Sequence, residues 1–255
     1  MSRRQRATRA LVAVPLIGAL GIGLTRCGGG DRELVVSAAA SLSEAFPAYA
    51  ARAGFNDARF SFAGSDELAA QIRQGGVPDV YAAANTSLPE ELHSEGLLEG
   101  PVAFATNRLV LAVPAGSDSV HSLADLTEPG VGIAVGDEDV PVGIYTREVV
   151  GRLPGGQSKK ILANVRTSEP DVLGIAAKLT QGAVDAGFVY RSDVGASAGR
   201  LEAIELPARL RPDVAYGAGV VSSAERPEEA AAFVDGLLSD EGRRALREAG
   251  FLPPP

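Results

Sequence analysis

From residue 34 onward, short apolar runs alternate with segments whose apolar residues recur at helical spacing. The apolar runs predict strands at 34–37, 59–62, 80–83, 104–113, 131–135, 164–166, 186–189 and 201–206. The helical spacing predicts helices at 41–53, 66–74, 87–95, 141–150, 171–180, 227–238 and 241–249. Because the strands are of the continuously buried type and helices follow them, the pattern predicts an α/β fold with mostly parallel sheets flanked by helices.

Two interruptions divide this pattern. A long apolar run begins near residue 106, and the pattern is broken again at 211–212. We therefore predict two lobes, in which 33–106 and 212–255 form lobe I and 107–211 form lobe II. A ligand crevice is expected between the lobes, at the carboxyl ends of the strands.

Residues 1–26 predict export. They hold five of the 24 basic residues and none of the 32 acidic ones, and an apolar run fills 10–24. A basic start followed by a short apolar stretch is typical of an export signal. A membrane anchor is the competing interpretation, but the run is shorter than the roughly 20 residues that a spanning helix needs. Removal of the signal changes the net charge from −8 to near −13.

Cys27 is the only cysteine of the chain, and it stands directly after this run, in a predicted flexible tether at 27–32. Its position resembles that of the lipid-attachment cysteine of bacterial lipoproteins. Arg26 stands where that pattern has a small residue, so plain secretion with a free thiol is the alternative. A single cysteine cannot form an internal disulfide.

Composition and motifs argue against several classes of function. Aromatic residues make up 5 %, Trp is absent and the net charge is negative, whereas nucleic-acid binding needs basic surfaces and stacking platforms. The chain has no G-x-S-x-G elbow, Walker A loop, C-x-x-C pair or H-E-x-x-H motif. His93 and His121 are isolated, and we expect each to be solvated. We therefore expect no catalytic residue, no cofactor, no nucleic-acid partner and no site for a free metal cation.

Small or polar residues mark the starts of four predicted helices, each close after a predicted strand. Ser41 and Ser65 stand in two of these turns, and the other two turns are 139–145 and 169–172. A helix start presents up to four unpaired N–H groups and a partial positive charge, so it can bind an anion. Serine at such a position also serves as an ordinary helix cap, and the residues alone leave both interpretations open.

The order of these segments resembles that of the molybdate-binding proteins of bacterial ABC importers, within the periplasmic-type solute-binding proteins. The resemblance covers residues 33–252 and implies a two-lobed periplasmic-binding-protein fold of type II. The segments that carry it are Ala38-Ala-Ala-Ser41-Leu42, Phe62-Ala-Gly-Ser65-Asp-Glu-Leu68-Ala-Ala-Gln71-Ile72, Gly76-Val-Pro78-Asp79-Val80, Asn107-Arg-Leu109-Val-Leu-Ala-Val-Pro114, Val140-Pro-Val142-Gly-Ile-Tyr145, Glu169-Pro-Asp171-Val172 and Asp185-Ala-Gly187-Phe-Val-Tyr190-Arg-Ser-Asp193.

The resemblance also implies a binding site for an oxyanion. In this family two serine turns, two backbone amides of the second lobe and a tyrosine hydroxyl hold the ligand. By motif, these are Ser41 and Ser65, the amides of Val142 and Val172, and the hydroxyl of Tyr190.

Tyr145 is the rival of Tyr190 as hydroxyl donor, and a core tyrosine at a strand end is the alternative for Tyr190. The resemblance implies an exported monomer that captures molybdate, and also tungstate, and delivers it to an ABC permease without catalysis. Its location is the outer face of the cell membrane, anchored through Cys27, or the periplasm. A receptor for another tetrahedral oxyanion such as sulfate, or an enzyme or sensor on the same scaffold, is the alternative function.

Overall fold

The computed structural model describes residues 33–255. The predicted export signal at 1–26, the predicted tether at 27–32 and Cys27 therefore lie outside the described residues. Within 33–255, ten strands form two five-stranded sheets, and helices flank both of them. The predicted α/β fold with two helix-flanked sheets is confirmed.

The strands are β1 (Val35–Ala39), β2 (Arg59–Ala63), β3 (Val80–Ala83), β4 (Leu98–Asn107), β5 (Leu109–Pro114), β6 (Ile133–Gly136), β7 (Val165–Glu169), β8 (Ala186–Tyr190), β9 (Leu201–Glu205) and β10 (Val214–Val221). The helices are α1 (Ala45–Ala53), α2 (Ser65–Arg73), α3 (Ser87–Ser94), α4 (Pro141–Gly151), α5 (Gln157–Ala163), α6 (Val172–Thr180), α7 (Arg191–Ala196), α8 (Pro227–Leu237) and α9 (Asp240–Glu248).

The two sheets share one plan. The first sheet has the order β2-β1-β3-β10-β4, and the second has the order β7-β6-β8-β5-β9. In each sheet three strands pair in parallel, and one strand, β10 or β5, pairs antiparallel with both of its neighbours. Four of the five strands of each sheet therefore run in one direction, as the prediction of mostly parallel sheets requires.

The chain passes between the sheets at two places. It crosses from β4 to β5 at Arg108, and it returns between β9 and β10. The prediction of one strand over 104–113 is therefore wrong. The Oδ1 atom of Asn107 accepts a hydrogen bond of 2.8 Å from the N–H of Arg108, and such a local bond competes with the pairing of a continuous strand.

Residues Glu33–Pro255 form one compact unit that contains both sheets. The boundaries of the two predicted lobes, at 107 and 212, stay a prediction. No helix within 33–255 has the length and apolar character required to cross a membrane.

Three elements of the structure, β10, α5 and α7, have no counterpart among the predicted ones. Helices α5 and α7 span seven and six residues, too few for a clear helical period. Strand β10 contains Gly217 and Gly219, which weaken a strand pattern. A Cβ at Gly219 would lie 2.9 Å from the carbonyl oxygen of Glu99, so this glycine permits the close approach of β10 and β4.

Aromatic side chains fix the helices on the first sheet. The ring centroid of Phe233, on α8, lies 5.0 to 6.4 Å from those of Tyr49, Phe55, Phe46 and Phe60. Edge-to-face contacts of this kind add about 0.5–1.5 kcal/mol each to the energy of burial. They join α1 and α8 to β2 of the first sheet.

A second row of aromatic rings lies where the two sheets meet. The ring of Tyr190, at the end of β8, lies 5.8 Å from that of Tyr216 on β10 and 6.5 Å from that of Tyr145 on α4. The ring of Tyr216 in turn lies 5.2 Å from that of Phe251. Side chains of both sheets therefore share one buried contact surface at this junction.

Candidate functional site

The five residues assigned to oxyanion binding by resemblance meet around one cavity. The cavity is lined by Ala39, Ala40, Ser41, Ala63, Gly64, Ser65, Ala84, Val140, Pro141, Val142, Asp171, Val172 and Tyr190. The space open to the centre of a water-sized sphere is about 20 Å³, slightly more than the ~10–15 Å³ that one water molecule needs. The cavity therefore suits a small, compact ligand.

Each functional segment follows the carboxyl end of a strand. Ser41 lies in a 3-10 turn (Ala40–Leu42) after β1, and Ser65 begins α2 after β2. Val142 is the second residue of α4 after β6, and Val172 begins α6 after β7. Tyr190 is the last residue of β8. The carboxyl ends of parallel strands are the usual place of ligand binding in α/β folds.

The two serines do not cap helices. The residues that precede the two elements, Ala39 and Gly64, stand at the cap positions, and neither element has a side-chain cap bond. Both serines are buried, with 7 % and 2 % of the surface of Ser41 and Ser65 exposed. The capping interpretation is therefore wrong for these two residues. It holds for Asp171, whose Oδ1 accepts a hydrogen bond of 2.9 Å from the N–H of Gly174 at the start of α6.

The oxygen atoms of both serines already contact other polar groups of the protein. Ser65 Oγ accepts a hydrogen bond of 3.1 Å from the N–H of Ala84. Ser41 Oγ lies 2.9 Å from the hydroxyl of Tyr216, and either oxygen can be the donor. Because Ser65 accepts from a backbone group, its own proton remains available to a ligand in the cavity.

Two helix starts on the second sheet direct backbone N–H groups toward the cavity. Val142 and Val172 lie in the first turns of α4 and α6, where an N–H group has no acceptor within its own helix. Pro141 occupies the first position of α4 and has no N–H of its own. The side chain of Val142 packs over Gly136, where a Cβ would lie 2.7 Å from Val142 Cγ1.

The hydroxyl of Tyr190 is buried without a hydrogen-bond partner among the described residues. Only 1 % of the surface of Tyr190 is exposed. Burial raises the pKa of Tyr190 well above its ordinary value, so the hydroxyl keeps its proton and is a donor. An unpaired buried hydroxyl costs about 1–3 kcal/mol, and an anion in the cavity would supply the missing acceptor.

Tyr145 is placed differently. It does not line the cavity, although its ring lies next to that of Tyr190. Its hydroxyl interacts with the backbone of Ala215, and burial raises its pKa to about 12. The geometry therefore favours Tyr190 over Tyr145 as the hydroxyl that faces a ligand.

No Lys or Arg is among the described residues that line the cavity, and Asp171 is the one acidic residue among them. A second carboxyl group, that of Asp193, lies behind Tyr190, where its Oδ2 accepts a hydrogen bond of 2.8 Å from the N–H of Tyr190. Burial raises the pKa of Asp193 to about 8, so this group is mainly protonated at neutral pH. In the part of the chain from 33 to 255, no cluster of His, Cys, Asp or Glu could hold a metal ion.

Gly64, which lines the cavity, lies very close to Pro170. A Cβ at Gly64 would lie 2.6 Å from the carbonyl oxygen of Pro170 and 2.9 Å from Oδ1 of Asp66. Gly64 precedes α2 beside the first sheet, and Pro170 follows β7 of the second sheet. The backbone of Gly64 has φ −57° and ψ 137°, which any residue adopts, so the absence of a side chain matters for these close contacts and not for the backbone conformation.

Tyr216 is the polar residue at the site that the sequence does not indicate. It lies on β10, which has no predicted counterpart, and it contacts Ser41 without lining the cavity. The one signal in the sequence is a tyrosine within a run of glycine, alanine and valine. A tyrosine in such a run does not by itself indicate a site residue, because Tyr216 and its partner Ser41 are 175 positions apart in the chain.

Comparison with known proteins places the chain in a family. The family model of the bacterial extracellular solute-binding protein matches residues 34–252. The molybdate-binding protein ModA of Mycobacterium tuberculosis is 36 % identical over 232 residues, which cover 88 % of this chain and 86 % of that protein. ModA of Haemophilus influenzae is 28 % identical over 237 residues, which cover 86 % of this chain and 89 % of that protein.

A solved structure shows the same fold. The periplasmic molybdate-binding protein of Azotobacter vinelandii superposes with a TM-score of 0.78 at 22 % identity, over 88 % of this chain and 100 % of that chain. The family match spans nearly all of the described residues. The chain therefore belongs to the bacterial extracellular solute-binding protein family.

Proposed function

We propose that the protein binds molybdate, and also tungstate, in the cavity between the serine turns and the two helix starts. The observation that carries this proposal is the donor set around the cavity. Ser65 and Tyr190 have hydroxyl protons that no described residue accepts, and Val142 and Val172 contribute unpaired N–H groups. The proposed ligand contacts are these four residues together with Ser41.

The five groups proposed to contact the ligand can all donate hydrogen bonds, so together they favour a ligand that only accepts them. Molybdate is a fully deprotonated tetrahedral dianion at neutral pH, and each of its oxygens accepts. Phosphate carries a proton at neutral pH, and this proton would lack an acceptor among the five proposed contacts, because each of them directs a donor at the ligand. A buried donor without a partner costs about 1–3 kcal/mol, and sites built in this way discriminate strongly between ligands.

The relatives support the same ligand, since the proteins of Mycobacterium tuberculosis and Haemophilus influenzae are both named molybdate-binding. We infer that this chain delivers its ligand to an ABC permease and acts as a monomer. The five proposed ligand contacts all lie within one chain, so binding itself needs no second copy. Neither catalysis nor a cofactor has a part in this proposal, and molybdenum is bound only as its oxyanion.

Export and lipid attachment rest on the sequence of residues 1–27. We infer that the chain is exported and anchored to the outer face of the membrane through Cys27. Cells grown with labelled palmitate should incorporate label into the wild-type chain, and Cys27→Ala should abolish both the label and sedimentation with membranes. A wild-type chain that is exported without label would contradict the anchor and favour plain secretion.

Titration calorimetry of the purified full chain with molybdate and with phosphate, at one neutral pH, tests the proposed function. We expect saturable binding of one molybdate per chain and binding of phosphate that is about 100-fold weaker, the effect of one buried group left without a partner. Tight binding of phosphate together with no heat from molybdate would contradict the proposal.

A further inference from the structure

Tyr216 lies behind the cavity, where it can determine whether Ser41 donates a hydrogen bond to a ligand or accepts one. Its side chain is fully buried on β10, and its hydroxyl lies 2.9 Å from Ser41 Oγ. Tyr216 does not line the cavity, so its hydroxyl can affect the hydrogen bonds of a ligand only through Ser41, the hydroxyl that it contacts. The question is which of the two hydroxyls donates to the other.

The contacts of Asn107 indicate the direction of the hydrogen bond between Tyr216 and Ser41. Its Oδ1 accepts from the N–H of Arg108 at 2.8 Å, and its Nδ2 donates to Ser192 Oγ at 2.9 Å. The side chain of Asn107 also interacts with the hydroxyl of Tyr216 and acts to lower the pKa of Tyr216, as an N–H donor does. Because Oδ1 is turned toward Arg108, Asn107 presents its amide protons to its other neighbours, and an amide nitrogen can only donate.

Among the described residues, the proton of Tyr216 then has one acceptor, Ser41 Oγ. Burial raises the pKa of Tyr216 well above its ordinary value, so the phenol retains this proton. Once Ser41 accepts from Tyr216, the hydroxyl proton of Ser41 is free to point into the cavity. Ser65 reaches the same state by accepting from the backbone N–H of Ala84.

We propose that Tyr216 is a positioning residue that fixes Ser41 as a hydrogen-bond donor to the bound oxyanion and so excludes oxyanions that carry a proton. This inference rests on the proposed oxyanion-binding function and extends it to selectivity. Asn107 lies at the crossing from the first sheet to the second. The chain Asn107–Tyr216–Ser41 therefore links that crossing to the ligand.

Without the phenol, Ser41 can turn a lone pair toward the cavity and accept a hydrogen bond from a protonated ligand. Tyr216→Phe should therefore weaken molybdate binding about tenfold, the effect of one lost or misdirected hydrogen bond. It should also narrow the ratio of molybdate affinity to phosphate affinity by about tenfold or more. A merely structural role of Tyr216 would weaken binding of all anions alike and leave that ratio unchanged.

The experiment is titration of the full chain with molybdate and phosphate at neutral pH, with Tyr49→Phe as the matched control. Tyr49 is also a fully buried tyrosine, and its hydroxyl donates to the carbonyl of Phe233 at 2.9 Å, away from the cavity. We expect Tyr49→Phe to keep both affinities. In a chain that already carries Ser41→Ala, Tyr216→Phe should cause no further loss of molybdate affinity.

A second variant keeps the phenol in place. Asn107→Asp replaces the amide donor by a carboxylate acceptor, which should draw the Tyr216 proton away from Ser41 and reduce the same affinity ratio. The inference is overturned if Tyr216→Phe and Asn107→Asp both keep the wild-type ratio. A wild-type chain that binds no molybdate would instead overturn the proposed function.

Discussion

The three hydroxyl groups at the cavity differ in what the protein already does with their oxygen atoms. Ser65 accepts from a backbone N–H, Ser41 contacts the phenol of Tyr216, and Tyr190 has no partner among the described residues. A hydroxyl has one proton, so the bonds that it accepts determine where that proton can go. Together with the direction proposed for Ser41, these contacts leave all three protons available to a ligand in the cavity.

Tyr190→Phe should have opposite effects on binding and on stability. Loss of a donor to a dianion should weaken molybdate binding about 10- to 100-fold, since hydrogen bonds to charged groups contribute about 1.5–3 kcal/mol. The free energy of unfolding without ligand should stay the same or rise by up to about 1–3 kcal/mol, because a buried hydroxyl without a partner is removed. Calorimetric titration and denaturant unfolding of the same variant measure the two quantities.

Two tyrosines serve as controls for Tyr190→Phe. Tyr49→Phe removes a hydroxyl that is hydrogen-bonded to the carbonyl of Phe233, so it should lower stability by about 1 kcal/mol without affecting binding. Tyr145→Phe should leave molybdate affinity nearly unchanged, because Tyr145 does not line the cavity. Loss of affinity in Tyr145→Phe but not in Tyr190→Phe would show that the roles of the two tyrosines are exchanged.

At the scale of elements, the site depends on four turns that carry the chain from strand ends into the 3-10 turn or a helix. The turns before α2 and α6 approach each other most closely, at Gly64 and Pro170. An added methyl group at Gly64 would overlap the carbonyl of Pro170 and separate the two turns. The N–H groups and hydroxyls on the two sides of the cavity would then no longer reach one ligand together.

Gly64→Ala should weaken molybdate binding at least about tenfold while leaving the fold intact, because its backbone angles suit alanine. Calorimetric titration measures the affinity, and thermal unfolding without ligand measures the fold. Gly195→Ala is the matched control, since a Cβ at Gly195 would meet no atom within 4 Å. Equal molybdate affinity in the two variants would mean that the approach of Gly64 and Pro170 has no part in binding.

Most strands and helices, but not all of them, could be predicted from the sequence. Apolar runs and helical spacing predict most strands and helices to within a few residues, because burial on both faces of a strand leaves a local pattern. The break at Arg108 is missed because apolar residues stand close to it on both sides, Phe104–Ala105 before it and Leu109–Val113 after it. Strand β10 is missed because its glycines are selected by the close approach of neighbouring strands, which no local pattern records.

The candidate site was predictable to a different extent. The resemblance assigns Ser41, Ser65, Val142, Val172 and Tyr190, and the structure brings all five to one cavity. Their hydrogen-bond directions depend on residues remote in sequence. Ala84 orients Ser65 across 19 positions, and Tyr216 reaches Ser41 across 175. Contacts of this kind form only in the folded chain, so they leave no recognisable spacing in the sequence.

For the whole molecule, the net charge and the proposed ligand have the same sign. The chain carries a net charge of −8, and residues 27–255 alone are more acidic still. The cavity uses neutral hydroxyls and oriented N–H groups, so binding requires no Lys or Arg among its described lining residues. Salt screens the repulsion of a dianion beyond about 8–10 Å. The net negative charge is therefore a property of the protein surface and does not determine which ligand binds.

The most direct test of the account is a calorimetric titration of the full chain with molybdate, tungstate, sulfate and phosphate at one neutral pH. The five proposed donors predict binding of molybdate and tungstate with similar affinity, weaker binding of the smaller sulfate and the weakest binding for phosphate. Binding of phosphate or sulfate more tightly than molybdate would contradict the central claim that the cavity selects a fully deprotonated oxyanion of the size of molybdate.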